Sequence, residues 1–420
     1  MSVKNLIIIG GGPAGLAAAK SAYDAGERDI LILEREDRLG GILNQCIHNG
    51  FGLHTFKEEL TGPEYAARYI DEVLKRGIEY KLGTTVLSID KNRRVTCVNE
   101  KDGLQIYEAG AIILACGCRE RPRGAINIAG CRAAGIFSAG TAQKLINIDG
   151  YMPGKEAVIL GSGDIGLIMA RRMTFQGAKV KAVVELMPYS SGLNRNIVQC
   201  LNDFDIPLMF SHTVVDIKGK GRVSSVVIAA VDEKLNPIKG TEQEIKCDTL
   251  LLSVGLLPEN ELSKMADVNL SPVTGGAIVD DDMMTETDGI FACGNVLHVH
   301  DLVDFVSEES EWAGARAAAY IAGEKVKGDK VAVQAKDGVR YVVPQFVNRD
   351  GDGTLKLKMR VGNVFKNVRL CVVCDGEEIY AKKKMIVTPG EMETVTLDEK
   401  QTRALKNCKQ AVVCLKAVKQ

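Results

Sequence analysis

The stretch "LIIIGGGPAGLAAAKSAYDAG", residues 6–26, contains the most informative pattern in this chain. An apolar strand runs into a glycine turn, and the turn runs into an Ala-rich helix. Gly10, Gly12 and Gly15 form the pattern G-x-G-x-x-G, which gives a tight turn, close approach of the backbone to a pyrophosphate, and close helix–strand packing. Glu34 ends the next apolar strand, 19 residues after Gly15, where a carboxylate can accept hydrogen bonds from ribose hydroxyls. The stretch therefore predicts a unit that binds a dinucleotide.

The same pattern recurs in "EAVILGSGDIGLIMARRMTFQGAKVKAVVELMP", residues 156–188. Gly161, Gly163 and Gly166 follow an apolar strand, and Glu185 lies 19 residues after Gly166, the offset found in the first unit. Two glycine clamps with identical spacing predict two bound dinucleotides.

The second clamp also indicates which nicotinamide cofactor is bound. Glu185 would repel a 2'-phosphate, and no Arg or Lys follows it before Arg195. The sequence therefore favours NADH over NADPH.

Length and composition limit the remaining possibilities. A chain of 420 residues suggests about three domains. The net charge of -1 argues against a broad nucleic-acid surface. The first apolar run is too short for a signal peptide, and no later segment is apolar for long enough to form an integral membrane segment. We therefore expect a cytoplasmic protein whose 12 cysteines are mostly reduced.

The C-terminal part has a different character. A polar linker near 322–335 is followed by short strands separated by Gly, Asp and Asn turns. "TLKLKMRV", residues 354–361, alternates apolar and polar residues, which predicts a half-exposed strand. Residues 336–420 are therefore expected to form a small β-sandwich-like domain that serves as an interface.

Several phrases together resemble a known superfamily. They are "GGGPAGLAAA", "LGGILNQCIHNGFG", "LACGCRERPRG", "GIFSAGTAQKLIN" and "GIFACGNVLHVHDLVD". They are similar to the FAD/NAD(P)-dependent pyridine nucleotide–disulfide oxidoreductases, which have two dinucleotide-binding domains. Within that superfamily the chain looks most like opine oxidase and hydrogen cyanide synthase subunits, and like an oxidoreductase associated with a glycerol-3-phosphate dehydrogenase-like flavoprotein.

The resemblance implies an α/β fold with two Rossmann-like domains and a small C-terminal all-β domain. The FAD-binding domain would be discontinuous, 1–120 and 256–330, with the NAD(H)-binding domain 121–255 inserted. The residues expected to contact FAD are Gly10, Gly12, Pro13, Ala14, Gly15, Glu34, Arg35, Gly40, Gly41, Val86, Ala115, Gly117, Gly294, Asn295, Asp301 and Leu302. Those expected to contact NAD are Gly161, Gly163, Asp164, Ile165, Gly166, Glu185 and Gly255.

The second FAD motif departs from the family pattern. Relatives carry Gly-Asp, whereas this chain has Gly294 followed by Asn295. Asn keeps an acceptor oxygen but removes a charge, so the site stays compatible with FAD. A helix starting near Leu302 would point its N-terminal dipole at the flavin. His298 and His300 follow the motif and could tune the flavin potential or relay protons.

The family's redox cysteines are a second departure. Counted from Gly40–Gly41, the positions of that pair fall on Leu43 and His48, and Cys46 stands alone between them. Near a helix N-terminus and beside His48, Cys46 could be a reactive thiolate. The favoured interpretation is that Cys46 packs against the flavin. The motif "CVVC", Cys371 to Cys374, looks like a strand, and no metal site is predicted.

Three functions stay open at this point. The first is a flavoprotein oxidoreductase that transfers hydride between NAD(H) and FAD. It would exchange electrons with a partner redox subunit or with a small-molecule or protein acceptor, as the NAD-linked subunit of a glycerol-3-phosphate dehydrogenase-like complex or as a homo-oligomer. The second is an NADH-dependent peroxide or disulfide reductase that acts through Cys46, with His48 beside it. The third is a flavin-bearing assembly subunit without turnover.

Overall fold

The computed structural model describes residues 2–324, 328–350 and 353–418. The chain divides into two compact units. The first comprises Met1–Asn44, Asn49–Cys118 and Pro258–Gln420, and the second comprises Gln45–His48 and Arg119–Leu257. Parts of the linker predicted near 322–335 and of the predicted C-terminal domain, namely 325–327, 351–352 and 419–420, lie outside the described residues.

The first unit contains a seven-stranded sheet. Leu6, Ile7 and Ile8 in its central strand are fully buried, which is typical of a parallel sheet covered on both faces. Four neighbouring strands are parallel, and two more extend the sheet as an antiparallel hairpin. From edge to edge the strands are Glu79–Lys81, Ile30–Leu33, Ser2–Ile9, Gly103–Leu114, Arg94–Asn99 and Thr85–Ile89, and Ile290–Ala292 also pairs in parallel with Gly103–Leu114.

The helices Pro13–Asp24 and Val303–Ile321 of this unit pack closely at a glycine. A Cβ atom on Gly314 would lie 2.1 Å from the carbonyl oxygen of Ala18, so only glycine permits this approach. The helices are Pro13–Asp24, Gly62–Lys75, Glu261–Met265 and Val303–Ile321, with 3₁₀ turns at Gly41–Gln45 and Gly294–Val296 and short paired strands at Asn49–Phe51 and Leu60–Thr61.

The second unit repeats the parallel arrangement on a smaller scale. Its five-stranded parallel sheet has the order Ile136–Ser138, Thr249–Leu252, Glu156–Leu160, Lys179–Val184 and Leu208–Met209. An antiparallel sheet contains His212–Gly219, Val223–Ala230 and Gln243–Lys246. The helices are Arg123–Ile126, Ala139–Asn147, Asp164–Phe175 and Asn194–Cys200, with a 3₁₀ turn at Asn202–Phe204. The short strands Cys118–Glu120 and Leu256–Pro258 lie where the segment Arg119–Leu257 begins and ends.

The C-terminal part of the first unit is a β domain with its own core. Two sheets contribute to this core, which includes Val333, Leu357, Val395 and Val413. One sheet has the order Phe346–Asn348, Lys330–Ala335, Ala411–Ala417, Phe365–Cys374 and Glu377–Val387, the other has the order Val339–Val343, Leu355–Val361 and Glu393–Leu397, and the helix is Glu399–Asn407. The motif Cys371 to Cys374 lies on a strand, as expected.

The strand Leu355–Val361 differs from the predicted pattern. Strict alternation would expose Lys356, Lys358 and Arg360. Lys356 is exposed, but the side chain of Lys358 is only 8% exposed and that of Arg360 only 16%. The half-exposed prediction is wrong at these two positions, because both side chains pair with carboxylates that lie outside the β domain.

Candidate active site

The first glycine clamp brings the ends of two strands very close to a helix. A Cβ atom on Gly10, where φ is +109°, would lie 2.5 Å from the carbonyl oxygen of Ala115. A Cβ atom on Gly15 would lie 1.8 Å from the carbonyl oxygen of Gly10. A Cβ atom on Gly12, in contrast, would meet only the Cα atom of Gly41 at 3.8 Å. Gly10 and Gly15 therefore serve packing, whereas Gly12 keeps space open in front of the helix.

The helix Pro13–Asp24 begins at this open space. Gly12 is its N-cap and provides no side-chain hydrogen bond, and its first turn contains no acidic residue, so the first amide groups remain available to a ligand. Gly40 donates its amide to the carbonyl oxygen of Gly11 at 2.9 Å and holds the following turn beside the clamp. The exposed amides and the helix dipole fit a pyrophosphate group.

Glu34 is fixed at the edge of this clamp. Its Oε2 accepts a hydrogen bond from the amide of Gly11 at 2.6 Å, and its Oε1 accepts one from the amide of Glu36 at 2.8 Å. The carboxylate is buried and oriented before any ligand arrives. Arg35 points into solvent, and the half-buried Val86 lies on the strand Thr85–Ile89.

The second FAD motif lies against the same helix. Gly294 has φ +72°, and a Cβ atom there would lie 2.8 Å from the Cβ atom of Ala14. Asn295 accepts a hydrogen bond from the amide of His300 at 3.0 Å through Oδ1. The first unit thus brings Gly294 to the clamp. Gly117, with φ +71°, accepts a hydrogen bond from the amide of Glu259 at 3.0 Å.

Acidic residues at the start of the helix Val303–Ile321 already have partners. Asp301 pairs with Arg360 and accepts a hydrogen bond from the amide of Met392 at 2.6 Å. Asp304 accepts from the amides of three residues in the loop 52–55, at 2.7 to 3.2 Å. Leu302 is the N-cap and provides no side-chain hydrogen bond. In this arrangement Asp301 secures the C-terminal domain, and a contact of its carboxylate with FAD stays a prediction.

A buried polar network lies behind the second FAD motif. Glu309 accepts a hydrogen bond from the amide of Gly294 at 3.0 Å through Oε1. Its Oε2 lies 2.9 Å from His298 Nε2, 3.3 Å from His300 Nε2 and 3.2 Å from Lys358 Nζ. Burial alone would raise the pKa of Glu309, but Lys358 and the two histidines outweigh it and hold that pKa well below its usual range. Burial lowers the pKa of His300 to about 4.

The second clamp repeats the geometry of the first. A Cβ atom on Gly161 would lie 2.1 Å from the carbonyl oxygen of Ser253, and one on Gly166 would lie 2.6 Å from Ser253 Cβ. Gly163 is the N-cap of the helix Asp164–Phe175 and provides no side-chain hydrogen bond. Asp164, at its first position, accepts hydrogen bonds from Leu193 N at 2.8 Å and Asn196 Nδ2 at 2.6 Å. Ile165 is half-buried, and Gly255 has φ +101°.

Glu185 has the same environment as its counterpart in the first clamp. Its Oε2 accepts hydrogen bonds from the amide and the hydroxyl of Ser162 at 2.8 and 2.5 Å, and its Oε1 accepts one from the amide of Met187 at 2.9 Å. The carboxylate is buried at the edge of the clamp. This position allows an acceptor role toward a ribose and opposes a second negative group.

Cys46 lies in a part of the second unit that does not favour a thiolate. The residue directly follows the 3₁₀ turn Gly41–Gln45 and therefore lies at the C-terminal end of that turn. Its Sγ atom lies 3.7 Å from Gln143 Oε1, and burial raises the pKa of the thiol to about 12. Burial, together with Arg195 and Arg171, lowers the pKa of His48 to about 4, so the imidazole is neutral and provides no cation.

Three residues that contribute to the two clamps could not be predicted from the sequence. Glu309 stands inside an Ala-rich helix and Lys358 on an alternating strand, where each would ordinarily face solvent. Ser253, which accepts a hydrogen bond from the amide of Gly166 at 3.1 Å, was missed as well. Neither helical nor strand periodicity marks such residues, because the contacts depend on how distant segments meet.

A family model described as pyridine nucleotide-disulphide oxidoreductase matches residues 4–319. The chain belongs to this family. It is an FAD-dependent NAD(P)H oxidoreductase of α/β fold, as the sequence predicted. Among the described residues, no helix combines the length and apolar character that a membrane crossing requires.

Individual relatives agree with this assignment. The NAD(P)H sulfur oxidoreductase (CoA-dependent) of Pyrococcus abyssi is 26% identical over 345 residues, covering 78% of this chain and 70% of the relative. An opine oxidase subunit of Agrobacterium tumefaciens is 23% identical over 418 residues, covering 93% of this chain and 75% of the relative. The crystal structure of T. acidophilum thioredoxin reductase shares the fold with a TM-score of 0.61 and 22% identity, covering 78% of this chain and all of that one.

Proposed function

We propose that this enzyme transfers hydride between NAD(H) and FAD and exchanges electrons with a partner redox subunit or a small acceptor, without a dithiol of its own. The observation that supports this is which residues stand where the family carries its pair of redox cysteines. Leu43 and His48 stand where the family's cysteine pair is expected, and Cys46 has a pKa raised to about 12. A dithiol relay accepts two electrons when its internal disulfide is reduced, and the single thiol of Cys46 cannot form such a disulfide with Leu43 or His48.

FAD is proposed to bind the first clamp. The amides at the start of the helix Pro13–Asp24 would hold the pyrophosphate, Glu34 would accept from the adenosine ribose, and Gly294 with Asn295 would face the phosphate and ribityl oxygens. When bound, the flavin supplies the redox chemistry, and the chain supplies orientation and electrostatics. The absence of a side-chain cap at Gly12 and the space in front of it support this assignment.

NADH, rather than NADPH, is proposed to bind the second clamp. Glu185 is held by Ser162 and Met187, so its carboxylate cannot easily turn away from a 2'-phosphate. Like charges at close range in a partly buried site are strongly unfavourable. Gly161, Gly163 and the helix that follows them would hold the pyrophosphate.

The acceptor is proposed to be a partner subunit. The similarity to the opine oxidase subunit covers 93% of this chain and so extends into the C-terminal β domain, whereas thioredoxin reductase covers 78%. A relative that is itself called a subunit supports assembly with a second protein. We propose a second flavoprotein that oxidises a small substrate, with glycerol 3-phosphate as the first candidate to test.

The test is to purify the chain with the proteins that accompany it, to identify the flavins by mass and absorbance, and to titrate the preparation anaerobically with NADH and NADPH. The proposal expects FAD in this chain, reduction by NADH at much lower concentration than by NADPH, and reoxidation by a glycerol-3-phosphate dehydrogenase-like partner protein or by a dye. Failure of the chain to take up FAD would contradict the proposal as a whole. Efficient reduction of peroxide or disulfides that disappears in Cys46→Ser would favour the single-cysteine alternative.

A further inference from the structure

Two cationic side chains from one strand of the β domain reach the region that follows the second FAD motif. Lys358 and Arg360, on Leu355–Val361, pair with Glu309 and Asp301. The side chains of Lys358 and Glu309 are 8% and 2% exposed. Ion pairs this deeply buried are uncommon, because both charges must leave water. These two charged residues therefore do more than keep the protein surface polar.

Glu309 links the β domain to the backbone of the FAD motif. One of its oxygens accepts from the amide of Gly294, and the other accepts from Lys358. Lys358 is itself fixed by a second hydrogen bond, 3.1 Å to the carbonyl oxygen of Phe305 in the helix Val303–Ile321. Movement of the Lys358 ammonium would therefore be transmitted to Gly294 through a single carboxylate.

The histidines of the network are oriented by the same carboxylate. His298 and His300 both direct Nε2 at Glu309, and their buried Nδ1 atoms have no hydrogen-bond partner among the described residues. This pattern fits two rings that each donate Nε2–H to the carboxylate. Lys358 is then the cation that balances Glu309.

The same groups lie close enough together to resemble a set of metal ligands. One nitrogen from each histidine and one oxygen of Glu309 lie within 4.8 Å of one another. The ammonium of Lys358, however, is 3.2 Å from the shared oxygen and would repel a divalent cation. The arrangement is therefore better suited to electrostatic positioning than to metal binding.

We propose that Lys358 is a positioning residue of the FAD site. It acts through Glu309 to hold Gly294 and the adjoining Asn295, and it cancels a negative charge that would otherwise face the phosphates of the cofactor. The β domain is thus a structural part of the flavin site as well as a potential interface. This inference rests on the proposed binding of FAD to the first clamp.

The experiment uses the full chain and compares Lys358→Met with Lys358→Arg and Lys356→Met. Lys356 is the matched control, because it pairs with Glu308 between the same strand and the same helix, but on the surface. Two quantities are measured after FAD is removed and restored: the dissociation constant for FAD by flavin fluorescence, and the flavin midpoint potential by equilibration with a reference dye. A double variant, Glu309→Gln with Lys358→Met, removes both charges and keeps an acceptor for Gly294.

Lys358→Met is expected to weaken FAD binding about tenfold and to make the midpoint potential more negative, since an uncompensated carboxylate disfavours both the phosphates and the reduced anionic flavin. Lys358→Arg and the double variant should recover most of the affinity, and Lys356→Met should equal the wild type. The inference is overturned if Lys358→Met equals Lys356→Met in both quantities, or if neither Lys358→Arg nor the double variant recovers affinity. If the wild-type chain takes up no FAD, the proposed function fails first.

Discussion

Glu34 and Glu185 make equivalent hydrogen bonds in the two glycine clamps. Each lies 19 residues after the last glycine of its motif. Each accepts one hydrogen bond from the amide of the residue between the first two glycines of the motif, and another from the amide of the residue two positions after the glutamate itself. The carboxylates are held in position by the backbone, so a ribose meets an acceptor that is already oriented. This equivalence supports two dinucleotide sites in one chain.

Replacing Gly12 should mainly weaken ligand binding, whereas replacing Gly15 should mainly lower folding stability. Gly12→Ala should change the free energy of unfolding of the apoprotein by less than about 0.5 kcal/mol, because the added Cβ meets only Gly41 Cα at 3.8 Å. The same methyl group would occupy the space before the helix and should weaken FAD binding about tenfold. Gly15→Ala should instead lower the stability of the apoprotein by about 2 kcal/mol or more, because its Cβ would lie 1.8 Å from Gly10 O. Chemical unfolding and flavin fluorescence measure both effects, and equal stability losses would contradict the assignment.

Glu185→Ala should raise the KM for NADH about tenfold and reduce the discrimination against NADPH. The variant loses the ribose acceptor and the charge that opposes a 2'-phosphate. Steady-state reduction of a dye with each nucleotide provides the measurement. Glu233→Ala, at an exposed turn of the same unit, is the control and should leave both constants unchanged. A variant that keeps the wild-type preference would show that another group selects the nucleotide.

The thiol of Cys46 should behave as a protonated side chain at neutral pH. Because burial raises its pKa to about 12, alkylation by iodoacetamide should keep rising with pH beyond 9, as followed by peptide mass spectrometry. Cys46→Ser should leave the rate of flavin reduction by NADH unchanged. Labelling that reaches its plateau below pH 8 would instead indicate an activated thiolate.

The buried ion pair of Lys358 and the surface ion pair of Lys356 should contribute different amounts to the folding stability of the chain. Lys358→Met leaves Glu309 buried without its cation and should cost about 3 kcal/mol, whereas Lys356→Met removes an exposed pair and should cost less than about 1 kcal/mol. Thermal unfolding of the FAD-loaded full chain provides the comparison at fixed FAD concentration. Equal shifts in the two variants would show that the buried pair contributes no more than a surface pair.

Acid should destabilise the folded chain partly through His48. Its pKa is near 4 in the folded protein, against an ordinary value near 6.5, so unfolding takes up a proton between these pH values. Stability should therefore fall as the pH drops below 6.5, and His48→Asn should lose about 1 kcal/mol less than the wild type between pH 6.5 and 5, allowing for the partial exposure of the ring. Denaturant unfolding at the two pH values tests this, and identical losses would place the titration elsewhere.

Local patterns predicted most of the architecture. The run Leu6–Ile9 with its glycines, and the matching run before Gly161, indicated two parallel units, since strand, turn and helix follow each other within about 30 residues. The burial of Lys358 could not be predicted, because it depends on a contact with Glu309, 49 residues away in sequence. The contact of Cys46 with Gln143 could not be predicted for the same reason, since Gln143 is 97 residues away in sequence.

The number of electrons that the chain accepts distinguishes an FAD enzyme without an internal dithiol relay from one that has such a relay. The purified FAD-loaded chain is titrated anaerobically with NADH while the flavin absorbance is followed. We expect complete bleaching with one equivalent of NADH per FAD, corresponding to two electrons. A second equivalent consumed before bleaching is complete, or a flavin that remains oxidised in excess NADH, would contradict it.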